Sequence, residues 1–251
     1  MSISASDSRR AEIYFLSESA YNLGIEVERD QLELFLALAD LVNEWSYKYN
    51  ITAIRSRREI LTKHVIDSLS VAIGHWQIND GKVPANLLDV GSGAGFPSLP
   101  IAIAFPDINV TALEAIRKKA SFIAAASESL GLNVTVLNQR AEVAAHLPDL
   151  REAFELVVAR AVAYMPTLLE YCLPFVRLGG RFVAMKSENL DEELNDSSKA
   201  LEILGGEWGQ TLHYRLPDVD GIRSLVVVNK VRSTPQRYPR RPGIPAKRPL
   251  K

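Results

Sequence analysis

The chain has 251 residues, 47% of them hydrophobic and 24% charged, with a formal net charge of −1. That length and balance suit one α/β domain with a modest extension. No apolar run approaches the ~20 residues that span a bilayer, the start M-S-I-S-A-S-D-S-R-R lacks the apolar core of a secretory signal, and the single Cys172 excludes an internal disulfide or a multi-cysteine zinc site. The four histidines (His64, His75, His146 and His213) are scattered without an H-x-x-x-H pair, so a cytoplasmic protein without a metal is expected.

In chain order, residues 8–23 and 29–48 read as helices. In the second, Leu32, Phe35, Leu36, Ala39, Val42 and Trp45 recur at helical spacing and define an apolar face. The polar stretch Tyr47, Tyr49, Asn50, Thr52 interrupts the pattern. A third helix is predicted over 57–74, with Ser56 and Glu59 in capping-box spacing. Gly81 and Pro84 mark the end of an N-terminal helical extension, residues 1–84. Strands and helices then alternate through 85–231: strands at 86–90, 109–114, 134–138, 155–159 and 181–186, with helices at 97 onward, 117–130, 141–146, 166–176 and 190–204 between and after them. Two further strands, 207–214 and 224–231, flank a turn at 217–221. This alternation predicts a Rossmann-like α/β fold, a mostly parallel seven-stranded sheet closed by an antiparallel hairpin. From Lys230 to the C-terminus there are eight basic residues (Lys230, Arg232, Arg237, Arg240, Arg241, Lys247, Arg248, Lys251) and no acidic one. Prolines 235, 239, 242, 245 and 249 predict an extended tail, residues 232–251, that packs into no regular element. Such an arm suits a phosphate backbone, or serves only solubility.

The stretch N-L-L-D-V-G-S-G-A-G-F-P-S, residues 86–98, carries the most chemical information. An apolar strand ends in Asp89, and Gly91, Gly93 and Gly95 then bring bare backbone N–H groups close to a ligand. Phe96 stands where a G-x-G-x-x-G dinucleotide fingerprint has its third glycine. Asp89 suits the ammonium end of an amino-acid-bearing nucleotide and repels a pyrophosphate. The loop therefore reads as one for S-adenosylmethionine (SAM) rather than NAD, and the fold as a class I SAM-dependent methyltransferase. A glycine turn without a ligand is the plain alternative. Ligands of open α/β sheets sit at the carboxyl ends of the strands, which selects Glu114, Arg140, Ala141, Glu142 and Arg160 as well. Glu114, 25 residues after Asp89, suits both hydroxyls of a ribose. Arg160 follows a buried-looking strand and needs a partner, such as Glu142 or a ligand carboxylate. Lys186 ends the fifth strand in the same way.

The A-R-A-V after the fourth strand lacks the Asn/Asp-Pro-Pro-aromatic pattern of amino-group methylation. Cys172, in Y-C-L-P, lies away from the strand ends and is no nucleophile for pyrimidine C5. An acceptor that is already nucleophilic, such as a ring nitrogen with a free lone pair, fits; its methylation needs only placement.

Those residues, with Y-N-I-T (49–52), K-H-V-I-D-S (63–68), L-D-V-G-S-G-A-G-F-P (88–97), Q-R-A-E (139–142), A-R-A (159–161), A-M-K (184–186) and the closing Y-P-R-R-P-G-I-P-A-K-R-P-L (238–250), closely resemble the ribosomal RNA small subunit methyltransferase G family, also called glucose-inhibited division protein B. The resemblance covers nearly the whole chain. It implies SAM-dependent methylation of guanine N7 in the decoding region of 16S ribosomal RNA. It also implies cofactor contacts at Gly91, Phe96, Ala141, Glu142 and Arg160, and a shared cleft lined by Asn50, His64, Asp67 and Ser68. Arg160, His64 and Asp67 are the catalytic candidates, Asp89, Gly93 and Glu114 further cofactor contacts. Asn50, Arg55, Arg57, Arg58, Lys63, Lys186, Arg240 and Arg241 are the candidates for RNA. Lys63, where the family often has arginine, and Ser187, where it usually has glycine, depart from the pattern. The expected partner is 16S rRNA or the small ribosomal subunit, met by a monomer. A small-molecule methyltransferase, a non-catalytic RNA-binding protein of the same fold, and a dinucleotide oxidoreductase are the competing readings.

Overall fold

Seven strands form one sheet in the computed structural model, which describes residues 5–75, 81–187 and 190–251. They are β1 (Asn86–Val90), β2 (Asn109–Leu113), β3 (Val134–Leu137), β4 (Phe154–Arg160), β5 (Val176–Lys186), β6 (Gly206–Tyr214) and β7 (Arg223–Lys230). Their order across the sheet is β3-β2-β1-β4-β5-β7-β6. The first five run parallel, and β7 is antiparallel to both β5 and β6. The predicted Rossmann-like sheet is present, with one feature beyond the alternation. The last strand inserts between β5 and β6, because residues 181–186 pair with 224–229.

Alternation of side chains along the strands divides the core in two. Leu87, Val110, Ala112, Leu156 and Val158 face one layer, which holds α2 (Arg29–Tyr49), α6 (Ser98–Ala104) and α7 (Arg117–Ser129). Leu88, Val90, Leu113, Val157 and Phe182 face the other, with α9 (Met165–Cys172) and α11 (Ser198–Leu204). The remaining helices are α1 (Ala5–Asn22), α3 (Arg57–Ile60), α4 (Asp67–Leu69), α5 (Val71–His75), α8 (Ala141–Ala144), α10 (Asp191–Asn195) and α12 (Ile244–Lys247). No helix among the described residues is long and apolar enough to cross a membrane.

The N-terminal helices share the first core. The α2 stripe Leu32, Phe35, Leu36, Ala39, Val42 is buried, and Gln31 donates to the carbonyls of Ile103 (2.8 Å) and Ala104 (3.1 Å). It thereby satisfies carbonyls left open at the end of α6. The single helix predicted over 57–74 is instead divided. Ser56 caps it as expected, accepting from Glu59 N, but a π-helical turn occupies Leu61–Ile66. Such a turn loosens the regular i→i−4 bonding. Here the carbonyl of Lys63 accepts from Arg160 Nη1 at 2.8 Å.

The C-terminal segment forms no strand and no long helix, but it corrects the expectation of an extended tail outside any regular element, because it folds against the body. Thr234 and Tyr238 are buried, and α12 closes the segment. Proline removes N–H donors but leaves carbonyls, and the body of the protein takes them. Arg151 donates to the carbonyls of Thr234 (2.8 Å) and Tyr238 (2.9 Å), and Thr167 Oγ1 to that of Pro245 (3.0 Å). Arg240 forms a bidentate pair with the fully buried Glu170, Nη2–Oε2 2.7 Å and Nε–Oε1 2.9 Å. Lys230 Nζ, itself buried, donates to Leu173 O at 2.7 Å and lies 3.2 Å from Glu152; burial pushes it down to about 8.

Candidate active site

A cleft of about 900 Å³ opens over the carboxyl ends of β1, β2, β3, β4 and β5, the place where the strand order reverses between β1 and β4. The loop after β1 forms one wall. Gly91 has φ +74° and Gly93 φ +60°, where only glycine sits without strain. A Cβ on Gly91 would stand 2.8 Å from Val162 Cγ2, whereas the nearest atom to one on Gly93 is 3.9 Å away. Gly93 therefore leaves open space toward the cleft, but the expected bare N–H groups are a correction: Gly91 N donates to Leu113 O (2.8 Å), Gly95 N to Ser92 O (2.9 Å) and Gly93 N to Glu114.

Glu114, 6% exposed, leaves β2 beside this loop. Its Oε2 accepts from Gly93 N at 2.8 Å and its Oε1 from Ile116 N at 2.7 Å. A carboxylate has about four acceptor positions, so each oxygen keeps one for a ligand. Asp89 is a correction. Its carboxylate is completely buried, does not line the cleft, and Oδ2 accepts from Ser98 N at 3.1 Å. The pleat is the reason: Asp89 points to the opposite face from Leu88 and Val90, under the start of α6. Burial pushes its carboxyl up to about 6.

The opposite wall is a polar network built on the π-helical turn. Arg160 ends β4, and its Nη1 donates to Asp67 Oδ2 at 3.0 Å as well as to Lys63 O. Its Nη2 lies 3.1 Å from His64 Nδ1. The expected partner Glu142 is replaced by Asp67, which follows the π-helical turn directly. Asp67 Oδ1 accepts from Tyr214 Oη at 2.7 Å, a bond across 147 positions of sequence. The His64 ring stacks on Phe96, centroids 4.4 Å apart and 13° from parallel. Burial and the Arg160 charge push the imidazole down to about 3, so it is neutral.

Gly91, Gly93, Phe96, Glu114, Ala141, Glu142, Arg160, His64, Asp67, Lys63 and Lys186 all line this one cleft. Glu142 Oε1 accepts from Gly243 N at 2.9 Å, which ties the C-terminal segment to the cleft wall. Lys186 Nζ donates to Ala163 O (2.9 Å) and Glu193 Oε2 (2.6 Å). Ser68 does not join the lining; its hydroxyl donates back to His64 O at 2.6 Å. Asn50 and Arg55 lie next to the lining residues Ile51, Thr52 and Ile54; Arg55 Nη2 donates to Asn50 Oδ1 at 2.8 Å.

Five of the cations expected to meet RNA, Lys186 with Glu193 among them, are paired with acids within the protein. Arg57 pairs with Glu12 (2.8 Å) and Asp40, Arg58 with Asp218 (2.6 Å) while stacking on Phe15, and Arg240 with Glu170. Lys63 pairs with Glu59, one turn away. Arg241 is exposed. Tyr214, Thr52 and Glu193 belong to the cleft without having been singled out from the sequence. No local pattern marks Tyr214, whose partner is distant; Thr52 sits inside the recognised Y-N-I-T but is not among the expected site residues.

A family model described as rRNA small subunit methyltransferase G matches residues 31–217. The chain is 44% identical over 236 residues to a protein of Acetivibrio thermocellus named ribosomal RNA small subunit methyltransferase G, covering 94% of this chain and 95% of that one. It is 42% identical over 228 residues to a protein of the same name from Geobacillus kaustophilus, covering 90% and 94%. Among solved structures it is similar to a branched-chain polyamine synthase mutein from Thermus thermophilus in complex with N4-aminopropylspermidine and 5'-methylthioadenosine. That match has TM-score 0.53 at 16% identity and covers 67% of this chain and 56% of that one; it bears on the fold alone.

Proposed function

This chain belongs to the rRNA small subunit methyltransferase G family, and from that premise we propose that it transfers a methyl group from SAM to N7 of a guanine in the decoding region of 16S rRNA. One observation carries the reading: the glycine loop, the strand-end acid Glu114 and the Phe96–His64–Arg160–Asp67 network converge on a single cleft. Its volume of about 900 Å³ suits a nucleoside-sized cofactor with an acceptor base beside it. The donor set fits as well. The open backbone at Gly93 admits a ligand at van der Waals distance, and Glu114 has acceptor capacity left for ribose hydroxyls.

When bound, SAM supplies an activated methyl group on a sulfonium. Gly91 and Gly93 let the nucleoside approach, Glu114 takes its ribose, and Ala141 and Glu142 close the far end. Arg160 uses three of its N–H bonds on Lys63, Asp67 and His64. The two left over can hold a carboxylate. Asp67 offsets the guanidinium charge, so the cleft does not repel a cationic cofactor. His64 is neutral and its Nδ1 is engaged by Arg160, so it serves as a positioning group rather than a base. None is needed: N7 of guanine carries an in-plane lone pair and no proton, and placement is the main requirement.

Arg55, Asn50 and Arg241 remain the first candidates for RNA contact, and Lys63 and Lys186 would exchange Glu59 and Glu193 for phosphate. In A-form RNA the major groove hides N7, so the target is an unpaired base. The protein works as a cytoplasmic monomer on the RNA or the small subunit. The test is transfer of labelled methyl from SAM to small-subunit RNA from cells lacking the protein, with mapping by borohydride reduction and aniline cleavage, which cuts at N7-methylguanine. One cleavage site in the decoding region is expected. Label in small metabolites and none in RNA would favour a small-molecule methyltransferase instead.

A further inference from the structure

Thr52 closes a chain of hydrogen bonds whose directions are fixed by chemistry. A guanidinium has donors only, so His64 Nδ1, 3.1 Å from Arg160 Nη2, must accept. A neutral imidazole accepting at Nδ1 carries its proton on Nε2. That nitrogen lies 3.0 Å from Thr52 Oγ1 and therefore donates to it. Ile54 N donates to the same oxygen at 3.2 Å. Both lone pairs of the hydroxyl are occupied, and its own proton has no acceptor among the described residues. The loop is held in place, since Arg55 donates to Thr52 O (2.8 Å) and to Asn50 Oδ1 (2.8 Å). Thr52 lines the cleft beside His64, whose ring lies on Phe96.

The result is an oriented donor on the His64 wall of the cleft, set by Arg160 through His64. Guanine presents two acceptors side by side on this edge, N7 and O6, whereas adenine replaces O6 with a donor amino group. Resting on the methyl-transfer reading above, we propose that the Thr52 hydroxyl donates to guanine O6, selecting guanine over adenine and aligning N7 with the methyl group. Arg160 and His64 are the positioning residues of this donor.

The experiment compares the native protein, Thr52→Val and Thr52→Ser on small-subunit RNA with either guanine or 2-aminopurine at the target position. 2-Aminopurine keeps N7 and has hydrogen in place of O6. Single-turnover methyl transfer by Thr52→Val on guanine RNA is expected to fall roughly ten- to a hundredfold, the scale of one base-edge contact. Thr52→Ser is expected within about threefold of native, and calorimetric SAM affinity to be unchanged in both. The native protein should lose the same factor on 2-aminopurine RNA, and Thr52→Val should lose nothing more there. A native rate for Thr52→Val on guanine RNA, or penalties that multiply, would overturn the contact while leaving methyl transfer intact. No transfer to guanine RNA by the native protein would overturn the methyltransferase reading itself, and this inference with it.

Discussion

Glu114 and Asp89 are two strand-end carboxylates with opposite environments, and they make opposite predictions. Both oxygens of Glu114 accept backbone N–H bonds at the edge of the cleft. Glu114→Gln turns one acceptor into a donor facing an N–H. Charge-assisted bonds of this kind are worth about 1.5–3 kcal/mol, so calorimetry should show SAM affinity weakened roughly ten- to a hundredfold; unchanged affinity would reject the assignment. Asp89 is buried, and its carboxyl rises from 3.8 to about 6. Between those values the native state holds more protons than the unfolded chain, so this group's contribution to stability falls as pH rises from about 4 to about 6 and stays low above. Asp89→Asn removes the titration. Urea unfolding should show the variant gaining on the native protein by on the order of 3 kcal/mol across that window, and a gap independent of pH would contradict it. The glycine loop, Glu114 and Arg160 were legible in the sequence because strand ends and φ > 0 turns leave local signatures. The role of Asp89 depended on which way one side chain points, and that of Tyr214 on a contact 147 residues away.

At the scale of elements, the C-terminal segment and the π-helical turn are where pattern reading stopped short. Proline spacing correctly excludes a strand or long helix, but it says nothing about whether carbonyls find buried donors. Arg151 and Thr167 supply them, and Lys230 holds the Thr234 hydroxyl, contacts that no local pattern in the sequence encodes. The consequence is measurable. Arg240→Leu leaves Glu170 buried without its cation, which costs about 3–5 kcal/mol for a pair of this kind, and the urea midpoint should fall accordingly. Removing residues 233–251 should lower it as well and, by freeing Glu142 from Gly243 N, weaken SAM binding. A truncated protein of native stability would show that the segment is a detachable arm after all. The π-helical turn is equally invisible to the sequence pattern, which predicts one continuous helix over 57–74, whereas the Lys63 carbonyl here accepts from Arg160.

Across the whole molecule, the alternation of strands and helices was enough to identify a seven-stranded doubly wound sheet, while the insertion of β7 between β5 and β6 rests on long-range pairing that alternation does not encode. A net charge of −1 gives no general attraction to RNA. Binding then depends on local cations, so neutralising Lys63, Arg55 or Arg241 singly should weaken RNA affinity and reduce the slope of log K against log salt by about one each, with SAM affinity unaffected. An unchanged slope would remove that residue from the interface. The expectations for SAM affinity and methyl transfer depend on one cleft holding the cofactor. The most direct test is a crystal structure with SAM: its ribose should lie on Glu114, its backbone contacts at Gly91 and Gly93, and its methyl group should face the wall formed by Phe96, His64 and Thr52. A cleft left empty at saturating SAM, or density for the cofactor elsewhere on the protein, would contradict the account.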